Sequence, residues 1–141
     1  MYPRRLNVVV GPPCSGKTTH LQRNAGKGDV LVDLDVLAWA LEHHDWHDAT
    51  GRIKAVALAT RAAAITELLR DAKQTGWIID TNPTPEAIAR YEANGAHFIV
   101  CDPGAEVCLE RAALAGRPAR VKKVIEDWYA NPPKIPEPEY A

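Results

Sequence analysis

The stretch Gly11-Pro12-Pro13-Cys14-Ser15-Gly16-Lys17-Thr18-Thr19 holds residue types at a spacing suited to phosphate. Glycines at 11 and 16 let the backbone curl so that amide N–H groups converge on a β-phosphate. A helix starting near Lys17 adds the partial positive charge of its N-terminus. Lys17 has the reach to bridge β- and γ-phosphates, and the Thr18 hydroxyl can sit on Mg²⁺. The plain alternative is a Gly-rich turn with no ligand. Four specified positions between a strand and a helix set this stretch apart from one.

Carboxylates and arginines elsewhere could complete such a site. Asp80 ends the apolar run Trp77-Ile78-Ile79, where it is a candidate for the Mg²⁺ carboxylate or for ordinary turn chemistry. Thr81 follows it where a water-activating Glu would suit a motor ATPase, which leans toward transfer to a substrate. Asp33 and Asp35 flank the end of another short strand and, if both are extended, share one side of the chain. Either could take the proton of an attacking hydroxyl, Asp35 more readily; Asp35 could also simply cap a helix beginning at Val36. Arg111, Arg117 and Arg120 surround the break Gly116-Arg117-Pro118. Arginines there can balance the charge of a transferred phosphoryl group, or can be solvated helix ends. The functional reading is favoured for Arg111 and Arg117 and left open for Arg120.

Positioning these residues requires strands that alternate with helices. Leu6 to Val10, Val30 to Asp33, Trp77 to Asp80 and Ala96 to Cys101 are short, apolar and β-branched, as buried parallel strands are. Helical stretches lie between them: Lys17 to about Ala25, Val36 to Leu41, an Ala-rich segment from about Arg52 to Lys73, and one opened by Pro83 and Pro85 with Thr84 as its cap. Two more run to about Ala115 and from Val121 to Trp128, the last with Val121, Val124, Ile125 and Trp128 on one face. The expected architecture is an α/β sandwich on a small, four-stranded parallel sheet with helices on both faces and a short Arg-bearing lid. Residues 1–130 form the expected domain. Residues 131–141 contain four of the eleven prolines and read as an extended or disordered tail.

Composition bounds the function. The 141 residues suit one domain, and 46% hydrophobic with 25% charged residues is a globular balance. A net charge of −1 gives no global field for nucleic acid, so any polyanion site must be local. Cys14, Cys101 and Cys108 are too scattered for a disulfide frame or zinc knuckle. No run resembles a signal peptide or a membrane span, so the expected setting is reduced and cytoplasmic, with no membrane partner.

In order along the chain, GPPCSGKTT at 11–19, Asp35, GWIIDTN at 76–82 with the Pro-Glu helix start after it, CDP at 101–103, LER at 109–111 and GRP at 116–118 resemble a known group. It is that of the small P-loop kinases of the polynucleotide-kinase type, the kinase domain of the bacteriophage polynucleotide 5′-kinase among them. The likeness runs from Leu6 to about Pro133. It implies a P-loop NTPase fold, with ATP phosphates bound by Gly11 to Thr19, Asp35 as general base, Arg117 reaching the transferred phosphate and Arg111 beside the nucleotide. The group also carries an Arg three residues after the base to hold the acceptor's 3′-phosphate. This chain has Ala38 there, and its lid arginines lie six apart. The resemblance therefore supports ATP-dependent phosphotransfer more than it supports a nucleic-acid end as acceptor.

The remaining motifs are plainer. His43, His44 and His47 with nearby acids read as a polar loop rather than a metal cluster, there being no HExxH pattern. Trp39 and Trp46 could stack on a base, although Trp39 in an apolar helix reads as core; Trp77 and Trp128 read as structural. Cys14 reads as a small residue tolerated in the loop. The first reading is an ATP/Mg²⁺-dependent kinase whose acceptor is a 5′-hydroxyl nucleic-acid end, a nucleoside or modified base, or another small alcohol. The second is a nucleotide-binding switch that hydrolyses ATP slowly and has no acceptor but water, its Pro-rich tail serving as a docking segment.

Overall fold

Apolar side chains on both faces make Leu6-Asn7-Val8-Val9-Val10 a central strand, and β1 (Leu6–Val10) is buried along its length. The computed structural model describes residues 5–42, 50–70 and 73–141. Beside β1 lie β3 (Gly76–Asp80) and β4 (Ala96–Val100), with β2 (Val30–Val32) outside β3. All pairs are parallel, and Val10 stands level with Asp80 on one side and Val100 on the other. The chain thus has the expected α/β architecture on a parallel sheet.

Among the described residues the sheet has five strands rather than the expected four. The segment read as a tail returns to the sheet as β5 (Glu139–Tyr140), parallel to β4 with Ile99 opposite Glu139 and Val100 opposite Tyr140. His97 Nε2 meets Glu139 Oε2 across this pair, and Ile135 packs against the main core. Its two-residue length hides it from any periodicity, yet it covers an otherwise open edge of β4.

Among the described residues six helices sit between the strands: α1 (Lys17–Asn24), α2 (Leu34–Glu42), α3 (Gly51–Arg70), α4 (Pro85–Ala93), α5 (Ala105–Leu114) and α6 (Ala119–Ala130). Strand alternation divides the core into two layers. Val8, Val10, Ile78, Phe98 and Val100 face α3, α4 and α6 through Ile65, Leu68, Tyr91 and Trp128. Val9, Trp77, Ile79 and Ile99 face α1 through Leu21. Loops after β1 and β3 therefore leave toward opposite faces, opening a crevice at the carboxyl ends of the central strands.

Local chemistry sets the helix ends that matter. Thr84 caps α4 as expected, its hydroxyl accepting from Ala87 N. Helix α2 starts two residues earlier than Val36. Asp33, not Asp35, is its cap: Oδ1 accepts from Asp35 N at 3.0 Å and its carbonyl from Leu37 N. Helices α5 and α6 are joined by a tight reversal in which Arg117 N donates to Ala112 O and Gly116 N to Ala113 O, with Gly116 at φ 65°. That is the 6→1, 5→2 bonding of a Schellman turn, and it holds Arg117 in a defined place. Val121, Ile125 and Trp128 of α6 are buried as expected, whereas Val124 turns outward. Among the described residues no helix is long and apolar enough to cross a membrane.

Candidate functional site

Between β1 and α1 the chain curls tightly over residues 11–16. A Cβ at Gly11 would lie 2.5 Å from the Cys101 carbonyl oxygen and 2.6 Å from Ser15 Oγ, so nothing larger than glycine fits. Gly16 has φ 94° where the loop enters α1. Cys14 also takes a positive φ, 62°, uncommon outside glycine. Lys17 Nζ is buried and donates to Pro12 O at 2.7 Å. Burial pulls its pKa down to about 8, against an upward pull led by Asp35 and followed by Cys101 and Asp33. Ser15 Oγ is buried with no hydrogen-bond partner, alone in this among the described residues. An orphaned hydroxyl inside the curl costs free energy until an oxygen ligand reaches it.

The acidic side chains divide into separate roles. Thr18 Oγ1 donates to Asp33 Oδ2 at 2.9 Å, so the hydroxyl and the α2 cap carboxylate share one point beneath the loop. Asp35, half-buried in the first turn of α2, lines the same cleft. Because α2 begins at Leu34, Asp33 and Asp35 are not both extended, and they address different atoms. Asp80 stands at the end of β3 but is engaged elsewhere: Arg61 Nη2 lies 3.3 Å from Oδ2 and Tyr91 OH donates to it at 3.0 Å. Arg61 also donates to Ile79 O at 2.9 Å. Burial first, and the Asp80 charge second, push the Tyr91 phenol up to about 12.

Both arginines favoured by the sequence meet the loop at one residue. Arg111 Nη1 donates to Cys14 O at 3.1 Å, and Arg117 Nη1 lies 3.5 Å from Cys14 Sγ. Cys14 is thus the point where α5 and the α5–α6 turn clasp the loop, and it packs against the Cys108–Val121–Ile125 cluster. Arg120 also lines the cleft. A cleft of about 1470 Å³ gathers most of these groups, from Pro13–His20 through Asp33, Asp35 and Asp80 to Arg111, Arg117 and Arg120. Among the described residues no group of three or more His, Cys, Asp and Glu is placed to hold a metal ion.

Sequence reasoning located the loop, Asp35 and the arginines, and the structure brings them to one cleft. Asp33, which the sequence ranks below Asp35, pairs with Thr18, a pairing signalled only by the Asp-x-Asp spacing next to an apolar helix start. Arg61, whose spacing reads as an outer-face position of the Ala-rich helix, instead meets Asp80, and it, Tyr91 and Lys54 come from helices with no motif. Trp39 is 48% exposed and does not line the cleft, so it is neither core nor a stacking platform there. Trp77 and Trp128 are buried, with indole N–H bonds to Asp29 and Thr81 O. His43, His44, His47 and Trp46 lie outside the described residues.

No protein-family model and no curated protein sequence matches the chain. Solved structures do. A protein from Chloroflexus aurantiacus j-10-fl, provisionally described as a kinase, superposes with a TM-score of 0.69 at 18% identity, covering 98% of this chain and 87% of that one. A sugar kinase from Janibacter sp. HTCC2649 gives 0.62 at 19% identity, covering 99% and 84%. Shikimate kinase from Acinetobacter baumannii, solved with shikimate, gives 0.57 at 16% identity, covering 91% and 75%. At these identities the likeness establishes the fold alone, an α/β fold with a parallel sheet shared with these kinases. The subtype that the motifs resemble, the polynucleotide kinases, is not among these three.

Proposed function

We propose that the chain is an ATP- and Mg²⁺-dependent phosphotransferase that moves a γ-phosphoryl group to a hydroxyl acceptor. The observation that carries this reading is the Thr18 Oγ1–Asp33 Oδ2 contact of 2.9 Å beneath a glycine-curled loop, with Asp35 lining the same cleft. A hydroxyl and one carboxylate suit Mg²⁺, which keeps several waters and is completed by phosphate oxygens rather than by a protein cage. We therefore assign the metal to Thr18 and Asp33 and return Asp80 to a supporting role with Arg61. Held there, the ion would supply positive charge to neutralise the phosphate oxygens.

Within that site the chain's own residues have separable tasks. The loop backbone from Gly11 to Thr19 holds the phosphates, and the Ser15 hydroxyl gains the oxygen partner it lacks. Lys17, already pointed into the loop by Pro12 O, exchanges that carbonyl for phosphate oxygen. Arg111 sits beside the nucleotide and Arg117 faces the charge that spreads over the transferred group. Asp35 accepts the acceptor hydroxyl's proton as its oxygen bonds to γ-phosphorus and the bond to the bridging oxygen of ADP breaks.

A small acceptor fits better than a nucleic-acid end. Ala38, which stands where the resembled polynucleotide kinases carry an arginine, lines the cleft with a methyl group and brings no charge to meet an acceptor's phosphate. Replacing Asp35 with Asn tests the reading. Transfer of label from γ-³²P-ATP to any acceptor should fall by about 10²–10⁴-fold, the span of general-base contributions, while binding of a fluorescent ATP analogue stays within about twofold. ATP consumption yielding free phosphate alone, equal in both proteins, would instead support the switch reading.

A further inference from the structure

The cleft is larger than one ligand needs, since small-molecule sites are commonly about 300–1,000 Å³ and this one is about 1470 Å³. Away from the phosphate loop its walls are α3 and α6, and both repeat one pattern. Lys54 is followed four residues later by Leu58 on α3, and Arg120 by Val124 on α6, and all four side chains line the cleft. Residues four apart share a helix face, so each wall offers a cation and an apolar group together. Leu58 is 45% exposed and Val124 44%, large apolar side chains left open in a cleft rather than packed in the core. Arg61 is the other cation that α3 brings here, but Asp80 and Ile79 O occupy its guanidinium. Among the described residues no carboxylate pairs with Lys54, and Asp33 and Asp102 are held by Thr18 and Tyr129.

We propose that the acceptor is a small hydroxylated anion with an apolar body, its carboxylate or phosphate drawn to Lys54 and its body seated between Leu58 and Val124. This rests on the phosphotransferase reading above and narrows it. An acceptor of this kind presents its hydroxyl to Asp35 while its charge is neutralised at a distance from the transferred group. A long polyanion has less to gain here, because the chain's net charge is −1.

The test is a matched panel offered with γ-³²P-ATP and Mg²⁺. It pairs hydroxy acids with their amides and hydroxylated phosphate monoesters with their dephosphorylated alcohols, and adds nucleosides and 5′-hydroxyl oligonucleotides. The expected result is label on an anionic member, with its neutral partner lower in kcat/KM by about 10–100-fold, the worth of a charged hydrogen bond. The labelled arm identifies the anion as carboxylate or phosphate. For that compound Lys54→Ala should raise KM about tenfold with little change in kcat, Lys54→Arg should restore it, and Leu58→Asn should also raise KM. Equal labelling of charged and neutral partners, label on the oligonucleotide or nucleoside, or an unmoved KM in Lys54→Ala overturns the anion and leaves the kinase standing. ATP consumed with no compound labelled, or no ATP consumed, overturns the phosphotransferase reading and this inference with it.

Discussion

Exchanging each of two aspartates for asparagine should separate metal binding from folding. In Asp33→Asn the amide keeps an oxygen to accept from Asp35 N, at 3.0 Å in the native cap, and Asn caps helices as well as Asp. The side chain is 5% exposed, so losing its charge also removes a desolvation cost. Stability should stay within about 0.5 kcal/mol. The Mg²⁺ needed to support binding of a fluorescent ATP analogue should rise about 10–100-fold, because the carboxylate beside Thr18 is gone. Asp80→Asn should do the reverse. Its carboxylate meets Arg61 at 3.3 Å and Tyr91 OH at 3.0 Å, with side chains 16% and 20% exposed for Asp80 and Arg61. Breaking a fully buried ion pair costs about 3–5 kcal/mol; partial exposure, the retained amide oxygen and the Ile79 O bond reduce this to about 2 kcal/mol. Urea unfolding followed by tryptophan fluorescence reads the first quantity and Mg²⁺ titration the second. Should Asp80→Asn fold normally and lose its Mg²⁺ response while Asp33→Asn keeps it, the metal assignment made here is wrong and the carboxylate after β3 is the ligand.

Two further perturbations probe the loop. Lys17 has a pKa of about 8 in the folded chain against 10.5 for the free side chain. Between these values the unfolded chain binds more protons, so stability should rise with pH across that window, by about 3 kcal/mol in all. Affinity for ATP should fall about tenfold per pH unit above 8, since polyphosphate needs the ammonium. Chemical denaturation and nucleotide titration from pH 7 to 10.5 check both, and Lys17→Met should flatten both slopes; unchanged slopes would show that Lys17 does not titrate there. Gly11→Ala places a Cβ 2.5 Å from Cys101 O, a contact that backbone must move to relieve. It should cost about 1–3 kcal/mol and weaken nucleotide binding beyond detection in the same fluorescence assay, whereas a variant binding normally would mean that the curl is not the phosphate site.

The legibility of this molecule follows element length. β1, β3 and β4 are five-residue apolar runs closed by turn residues, so pattern alone finds them. β5 has two exposed residues after a run of prolines and exists only through pairing with β4, which no local signal encodes. At the site, the loop was legible because its geometry demands glycine at two fixed places. Asp33 was obscured by a two-residue error in the start of α2: with the helix placed at Val36, Asp35 becomes the cap and Asp33 a strand end. Moving the start to Leu34 makes Asp33 the cap and carries its second oxygen to Thr18. Lys54 and Leu58 were invisible because an Ala-rich helix looks alike on every side until its neighbours are known.

The arginine clasp bears on how much of the site must form on binding. Arg111 and Arg117 hold Cys14, one through its carbonyl and one beside its sulfur. Cys14 carries a positive φ, a conformation that costs a non-glycine residue free energy, so the contacts holding it offset that cost. Arg117 is itself fixed from behind by its N–H bond to the Ala112 carbonyl, by the Gly116 bond to the Ala113 carbonyl just before it, and by Val121 and Ile125 seating α6. Both arginines are therefore positioned by the packing of α5 on α6, and in the proposed reaction they would face developing charge without a long segment having to order. That arrangement lowers the ordering entropy left for the ligand to supply, the condition under which fixed dipoles and charges stabilise a transition state most.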